Sequence, residues 1–218
     1  PAIKHIDKYA ALAHECGHIL GMTTIIATKS LVKKWVKQYS EKNPSTPPEQ
    51  LAGLEDLYYS AFNVVADQRI EYLVSQKIWR ANIKRFFDMK EKLGENMIRS
   101  YSIVDDLLAI RFFRDDLVIS KDYETLKSCL ESVEGTGMFG GLKVLIYLKP
   151  LLDKWFEENK PTALHTLNGH SSFQNRETEI EIKGDRHHMD SLFDNSTTLD
   201  ATMIESEAMS IGGDLETI

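Results

Sequence analysis

The sequence has few cysteines and no long hydrophobic run. Its 218 residues include only Cys16 and Cys129, which is not the pattern of a disulfide framework and fits a reducing compartment. No apolar run approaches the roughly 18 residues of a membrane span, and no secretion signal is recognisable. We therefore expect a soluble, cytoplasmic protein without a membrane segment.

The sequence also lacks an excess of positive charge. Residues 1–158 carry 22 basic and 22 acidic side chains, and residues 159–218 carry 4 and 11, so the net charge of −7 lies entirely in the second part. A neutral body argues against a protein built to bind nucleic acid. With 42% hydrophobic residues the chain can bury one sizeable core. We predict one domain over 1–158 and an acidic linker or tail over 159–218, either disordered or leading to another domain.

The strongest motif lies at residues 13–20, which read Ala-His-Glu-Cys-Gly-His-Ile-Leu. His14 and His18 are four residues apart, so they project from one face of a helix and can share a metal ion, as in the HExxH arrangement of zinc hydrolases. Glu15 is turned about 100° around the axis and can reach a water molecule at the metal without binding the metal itself. The alternative is an amphipathic helix with two incidental histidines.

The residues around the motif predict how its helix is packed. No proline lies between residues 8 and 43, and the motif is flanked by uncharged residues, which indicates a continuous and largely buried helix. Cys16 is expected to be a small buried residue rather than a ligand. Gly17 has no side chain, which would let a neighbouring segment or a substrate approach closely.

A catalytic zinc normally takes a third protein ligand, and the segment 57–74 offers two. It has apolar residues at helical spacing, with Asp67 and Glu71 one turn apart. Burying the Asp67 carboxylate among apolar neighbours requires a cation or a metal. We predict Asp67 as the third ligand and Glu71 as the alternative. Otherwise Asp67 would be a surface carboxylate paired with Arg69 or Lys77.

Together the two segments resemble the zincin-type metallopeptidases of bacteria and phages that are fused to, or encoded beside, von Willebrand factor A domains. The resemblance covers about residues 10–80 and rests on His14, Glu15, Gly17, His18, Asn63, Asp67, Arg69, Ile70 and Glu71. It implies that Asp67 is the third zinc ligand and Glu15 the general base, with a von Willebrand factor A-type partner and a location in a bacterial or phage-infected cell. Many such proteins have an acid where this chain has Ala66.

The expected function is hydrolysis of a peptide or protein substrate by one zinc ion per chain, with Glu15 moving the proton from water to the leaving nitrogen. The alternative is a non-catalytic helical module whose metal is structural or vestigial and which docks a partner such as a von Willebrand factor A domain. Two histidines and a carboxylate also suit iron, manganese or cobalt, so zinc follows from the motif alone. Only 13 residues precede His14, which is too few for the sheet edge that most zincins use for substrate. Either such strands lie upstream of this sequence, or the site is built on helices alone and the substrate is not held as an extended peptide.

The predicted fold class is mainly α, with a zincin-like helical core, little or no sheet, and an irregular acidic tail. Helices are expected at 3–22, 29–41, 46–79, 81–93, 99–113, 121–132 and 142–158. A glycine-rich stretch at 135–141 predicts a tight turn or hinge. One exposed strand is expected at 178–183 in the tail. The tail histidines, which are His165, His170, His187 and His188, are not expected to bind the catalytic metal.

Overall fold

The structure is a computed structural model that describes residues 8–161 apart from 22, 24, 78, 79, 96 and 98–100. Its helices are α1 (Lys8–Leu20), α2 (Ile25–Lys42), α3 (Pro48–Lys77), α4 (Arg80–Glu95), α5 (Ile103–Arg111), α6 (Tyr123–Ser132) and α7 (Gly140–Asn159), with one 3-10 turn at Asp115–Leu117. The described part contains no strand, which confirms the mainly α prediction. The strand predicted at 178–183 and the tail histidines lie outside the described residues.

Each predicted helix is present where the structure describes the chain, although several ends differ. α2 begins at Ile25 rather than at residue 29, because Ala27 and Thr28 already pack into the interior. α5 begins after Ser102, whose side chain accepts a hydrogen bond from the backbone N–H of Asp105. In the described ranges, no helix combines the length and the apolar character needed to cross a membrane.

The central element of the fold is α3. It contacts α1, α2, α5, α6 and α7, and the main hydrophobic core forms around it. Phe62 of α3 and Leu107 of α5 are among its buried residues. A helix covered on so many sides also buries its polar residues, and Asp67, Arg69 and Glu71 are all buried. Charged groups in such a position need partners inside the protein.

The motif helix α1 packs at the edge of this core, against α3 and α4. Of its 13 residues only Ala10 and Gly17 are buried, whereas Leu12 is 63% exposed and Ile19 is 78% exposed. The prediction of a largely buried motif helix is therefore wrong, because α1 packs through one face only. Cys16 is also exposed, which contradicts its predicted burial.

The contact between α1 and α3 is close at Gly17. A Cβ atom placed on Gly17 would lie 2.7 Å from Val74 Cγ2 and 3.1 Å from Ile70 Cδ1, which is too close for van der Waals contact. This confirms the prediction that a neighbouring segment approaches here. Beyond the end of α1, the carbonyl of Gly21 accepts a hydrogen bond from Arg69 Nη2 at 2.7 Å. Both contacts set the distance between the two helices.

The glycine-rich stretch is a tight turn between α6 and α7, as predicted. Gly135 has a φ of +71°, a conformation that favours glycine. A Cβ atom on Gly140 would lie 1.8 Å from Thr136 Oγ1, so the first residue of α7 also has no room for a side chain. The Thr136 carbonyl accepts a hydrogen bond from Arg69 Nε at 3.2 Å. Arg69 thus joins this turn to α3.

Candidate metal centre

Helix α1 places His14 and His18 side by side, facing α3. Their ring centroids are 5.1 Å apart and the ring planes are nearly perpendicular, at 83°. The Nε2 atoms of both rings point to one atom of α3, which is Oδ1 of Asp67. The distances to it are 3.6 Å from His14 and 3.2 Å from His18. The one-turn spacing therefore brings both rings to a common point.

His14, His18 and Asp67 form a group that could hold a metal ion. One ligand atom from each residue lies within 4.8 Å of the others. The group is largely buried, since the side chains of His14 and His18 are 17% and 24% exposed and that of Asp67 is 5% exposed. The structure thus brings together the three residues predicted as ligands.

Glu71, the alternative ligand, lies on the other side of the His14 ring. Its Oε1 atom is 3.4 Å from Nδ1 of His14. Glu71 orients Nδ1, so a neutral His14 would keep its proton on Nδ1 and leave Nε2, the nitrogen that faces Asp67, available to a metal. In the same way, the hydroxyl of Thr23 contacts His18, with its oxygen 3.1 Å from Nδ1 of the ring. Such partners fix the orientation of a metal-binding imidazole and are typical of metal sites.

Both acids are held by Arg111, the last residue of α5. Its Nη1 atom lies 3.0 Å from Asp67 Oδ2, and its Nη2 and Nε atoms donate to Oε1 and Oε2 of Glu71. Nη1 therefore forms an ion pair with Asp67 but makes no hydrogen bond. The Arg111 side chain is 4% exposed, so the guanidinium is as deeply buried as the carboxylates.

A second cation, Lys90 of α4, completes the buried network. Its Nζ atom is 2.8 Å from Glu71 Oε2 and also donates to Gln68 Oε1 at 3.3 Å. The side chains of Lys90 and Glu71 are 5% and 3% exposed. Two carboxylates therefore face two cations in the interior, an arrangement that compensates the cost of burying each charge.

The electrostatics of the network keep both acids ionised. Burial alone would raise the pKa of Asp67, but the charge of Arg111 and a hydrogen bond to His18 lower it below the ordinary value. Burial likewise opposes ionisation of Glu71, yet Arg111, His14 and Lys90 hold its pKa well below the ordinary range. For His14, burial lowers the pKa, whereas Glu71 and Asp67 raise it by more. The metal-free centre thus favours a protonated His14.

The remaining predicted residues lie at the edge of the centre or away from it. Glu15, the predicted general base, is exposed on α1 directly after His14. Two polar residues of α3, Arg69 and Tyr58, have their own partners. Arg69 binds two backbone carbonyls, and Tyr58 donates to Asp153 at 2.5 Å. The alternative in which Asp67 is a surface acid paired with Arg69 or Lys77 is wrong, because Asp67 is 4% exposed and faces Arg111.

An apolar cavity of about 480 Å³ lies on the far side of α1 from the histidines. It is lined by Tyr9, Leu12, Ala13, Cys16, Leu20, Leu73, Val74 and Lys77. At 100° per residue, Ala13 and Cys16 lie on the opposite side of Gly17 from His14 and His18. Gly17 itself packs on α3, so the contact between the two helices separates the cavity from the candidate ligands.

Sequence reasoning did not predict Arg111 or Lys90 as part of the centre. Arg111 directly follows the apolar residues 107–110, and an arginine in such a buried segment needs an acidic partner. The partner itself could not be chosen, because Arg111 is 40 residues from Glu71 in the sequence. Lys90 gives no comparable signal, since it lies among other charged residues.

Fold and centre together define a mainly α protein with a largely buried group of two histidines and one aspartate that could bind a metal ion. No protein-family model, no curated protein and no solved structure matches this chain. The resemblance to zincin-type metallopeptidases therefore stays a prediction that rests on the motif residues.

Proposed function

We propose that this protein is a zinc-dependent hydrolase, and most specifically a peptidase, with His14, His18 and Asp67 as metal ligands and Glu15 as general base. One observation carries the proposal: two imidazole Nε2 atoms and one carboxylate oxygen converge on one point. Glu71 and Thr23 contact the Nδ1 atoms of the same two rings, so Nε2 is the nitrogen that each ring directs to Asp67. This supports a built centre rather than two incidental histidines.

The donor set fits zinc, with two imidazoles and one carboxylate, although the same set also suits iron, manganese or cobalt. A bound divalent ion would supply Lewis acidity, which lowers the pKa of a water molecule and polarises a substrate carbonyl. The side chains of the centre meet the requirement for such binding, because Asp67 is kept ionised by Arg111. A neutral form of both histidines is needed at the same time.

Glu15 supplies the proton transfers in this proposal. Its position directly after His14 turns its carboxylate about 100° from the ligand face, outside the three-residue group. There it accepts a proton from the attacking water and passes it to the nitrogen of the departing amine. Glu71 holds His14 with Nε2 directed toward Asp67 throughout. No side chain of the described centre is needed as a covalent nucleophile.

Metal content is the first test of this proposal. Protein purified without added metal would be analysed by inductively coupled plasma mass spectrometry, as wild type, His14→Ala and Asp67→Ala. We expect about one zinc per chain in wild type and loss of the metal in both variants. Wild type that binds no metal even after zinc is supplied would refute the proposal, and metal retained in Asp67→Ala would exclude Asp67 as a ligand.

Hydrolysis is tested separately with Glu15→Gln, which leaves the three ligands unchanged. Wild type and variant would be loaded with zinc and compared on a quenched fluorescent peptide library. We expect equal metal content and a loss of rate of at least about 100-fold in the variant, the usual size of a general-base contribution. Equal rates in the two proteins would mean that Glu15 is not the base.

A second candidate function, a docking module, is favoured by the exposed apolar side chains of α1. Leu12, Ile19 and Leu20 are each more than 60% exposed, which is unusual for residues of this kind on one helix. A module that docks a von Willebrand factor A domain would keep its binding in Glu15→Gln and lose it in Ile19→Asp. Isothermal titration with such a domain separates this function from the hydrolase, which depends on Glu15.

A further inference from the structure

Arg111 places a positive charge directly behind the proposed ligand Asp67. A metal centre of two histidines and one aspartate does not require such a group. A guanidinium 3.0 Å from the ligand carboxylate weakens the attraction between that carboxylate and a divalent cation. Burying the guanidinium also costs free energy that its ion pairs must offset. Arg111 therefore needs a role that outweighs both effects.

We propose that Arg111 is a positioning residue that bridges Asp67 and Glu71, so that Asp67 offers one oxygen to the metal and Glu71 remains on His14. The inference rests on the proposed function only in that the centre binds a metal. It does not depend on hydrolysis or on Glu15.

The two oxygens of Asp67 have different partners. Oδ1 is the atom that both histidine Nε2 atoms approach, at 3.6 and 3.2 Å. Oδ2 lies 3.0 Å from Nη1 of Arg111. A carboxylate without this second contact can bind a metal through both oxygens, which raises the coordination number above four. Arg111 therefore selects the one-oxygen mode that a four-coordinate zinc site uses.

The same guanidinium keeps Glu71 out of the ligand set. Its Oε1 atom receives Arg111 Nη2 and lies beside His14 Nδ1, and its Oε2 atom receives Arg111 Nε and Lys90 Nζ. Neither oxygen is left to turn toward the point where the histidines converge. Glu71 thus serves as the partner of His14. By holding Glu71 there, Arg111 leaves Asp67 as the carboxylate that binds the metal.

An arginine suits this position better than a lysine because of the shape of its head group. Asp67 and Glu71 are one turn apart on α3, so their carboxylates lie side by side. The planar guanidinium has several N–H groups at fixed angles and contacts both carboxylates at once. A lysine ammonium has the same charge, but its three N–H groups share one nitrogen and cannot reproduce the separate contacts that the guanidinium makes with the two carboxylates.

A purely structural role makes a different prediction. If Arg111 only balances the buried negative charge, any cation at this position would serve, and the metal would be bound as before. The variant Arg111→Lys keeps the charge and removes the bridge, so it separates the two roles. Arg114→Lys is the matched control, because Arg114 lies three residues on and pairs with exposed Asp116 outside the centre.

The experiment is a titration of the metal-free proteins with Co²⁺, whose visible absorption is intense in four-coordinate sites and weak at higher coordination numbers. We expect wild type and Arg114→Lys to give the same intense spectrum. In Arg111→Lys we expect binding at least about tenfold weaker, the usual effect of losing a partner of a metal ligand, and a spectrum several-fold less intense. Helical circular dichroism without metal checks that each variant is folded.

The outcomes separate this inference from the proposed function. Cobalt bound by Arg111→Lys with the affinity and spectrum of wild type would overturn the inference alone, whereas no metal bound by wild type would overturn both. If Arg111→Lys does not fold, a crystal structure of zinc-loaded wild type decides. Oδ2 of Asp67 on Arg111 would support the inference, and Oδ2 within bonding distance of zinc would overturn it.

Discussion

The two halves of the candidate centre are held very differently. The acids lie on α3, which packs against five other helices, and their side chains are 5% exposed or less. The histidines lie on α1, which packs against α3 and α4 and leaves Ile19 78% exposed. The acids are fixed by the core and by Arg111, whereas the histidines depend on how α1 sits on α3. A metal would therefore join a helix that is exposed on one side to a helix that is covered on most sides.

Removing the cation that holds the two acids should have the largest effect. Arg111→Leu leaves the carboxylates of Asp67 and Glu71 buried with only Lys90 and a protonated His14 to compensate them. We expect the free energy of unfolding to fall by about 3–5 kcal/mol, as when a buried ion pair loses one partner. Urea denaturation of the metal-free protein measures it. Arg114→Leu removes an ion pair with exposed Asp116 and a hydrogen bond to the Gly94 carbonyl, and it should cost clearly less. Equal losses in the two variants would contradict the comparison.

Zinc should stabilise the protein mainly through α1, the helix that carries the two histidines. If zinc binds only the folded state, a free concentration 100 times the dissociation constant raises the free energy of unfolding by about 2.7 kcal/mol. Hydrogen exchange should show the gain mostly in the amides of α1, because α3 is already held by its neighbours. His18→Ala is the control, and it should show neither the stabilisation nor the protection. Zinc-induced protection of amides in α3 alone would contradict the expectation that α1 gains most from the metal.

The parts of this architecture that sequence reasoning predicted are those with local signals. The spacing of His14 and His18 is a local pattern, and so is the recurrence of apolar residues around Asp67. The burial of α1 could not be predicted, because it depends on which helices pack against it. An apolar residue such as Ile19 gives the same sequence pattern whether another helix covers it or not. Arg111 was missed because its contacts with Asp67 and Glu71 span 44 and 40 residues.

The contact that seats α1 on α3 can be tested at Gly17. In Gly17→Ala the new methyl group would meet Val74 Cγ2 at 2.7 Å, so α1 must shift. We expect a net loss of about 1 kcal/mol, because overpacking costs about 1–3 kcal/mol and alanine recovers up to about 1 in helix propensity. Gly137→Ala is the matched control, since a Cβ there has no heavy atom within 4 Å. In a Val74→Ala background the loss should shrink, and an unchanged loss would mean that Val74 is not the obstacle.

The smallest expected effect is on the pH dependence of stability, which reflects the contacts of His14 with Asp67 and Glu71. This dependence should change sign when metal is bound. The folded pKa of His14 is raised, so without metal its protonated form contributes stability below about pH 6.5, and this contribution is lost as pH rises through the folded pKa. Asp67 and Glu71 have lowered pKa values, so their contribution is present above their unfolded values and is lost only as pH falls through the folded ones. As pH rises above about 6.5, the metal-free protein should therefore lose stability.

With saturating zinc the slope in the same range should reverse, because zinc binds the neutral imidazole and competes with protons for His14. Denaturation midpoints measured with zinc and with a chelator give the two slopes. His14→Gln should remove most of the slope in the chelated protein while leaving the acids of α3 in place. The opposite result would be a metal-free wild-type protein whose stability rises with pH. It would show that, without metal, His14 does not contact Glu71 and Asp67.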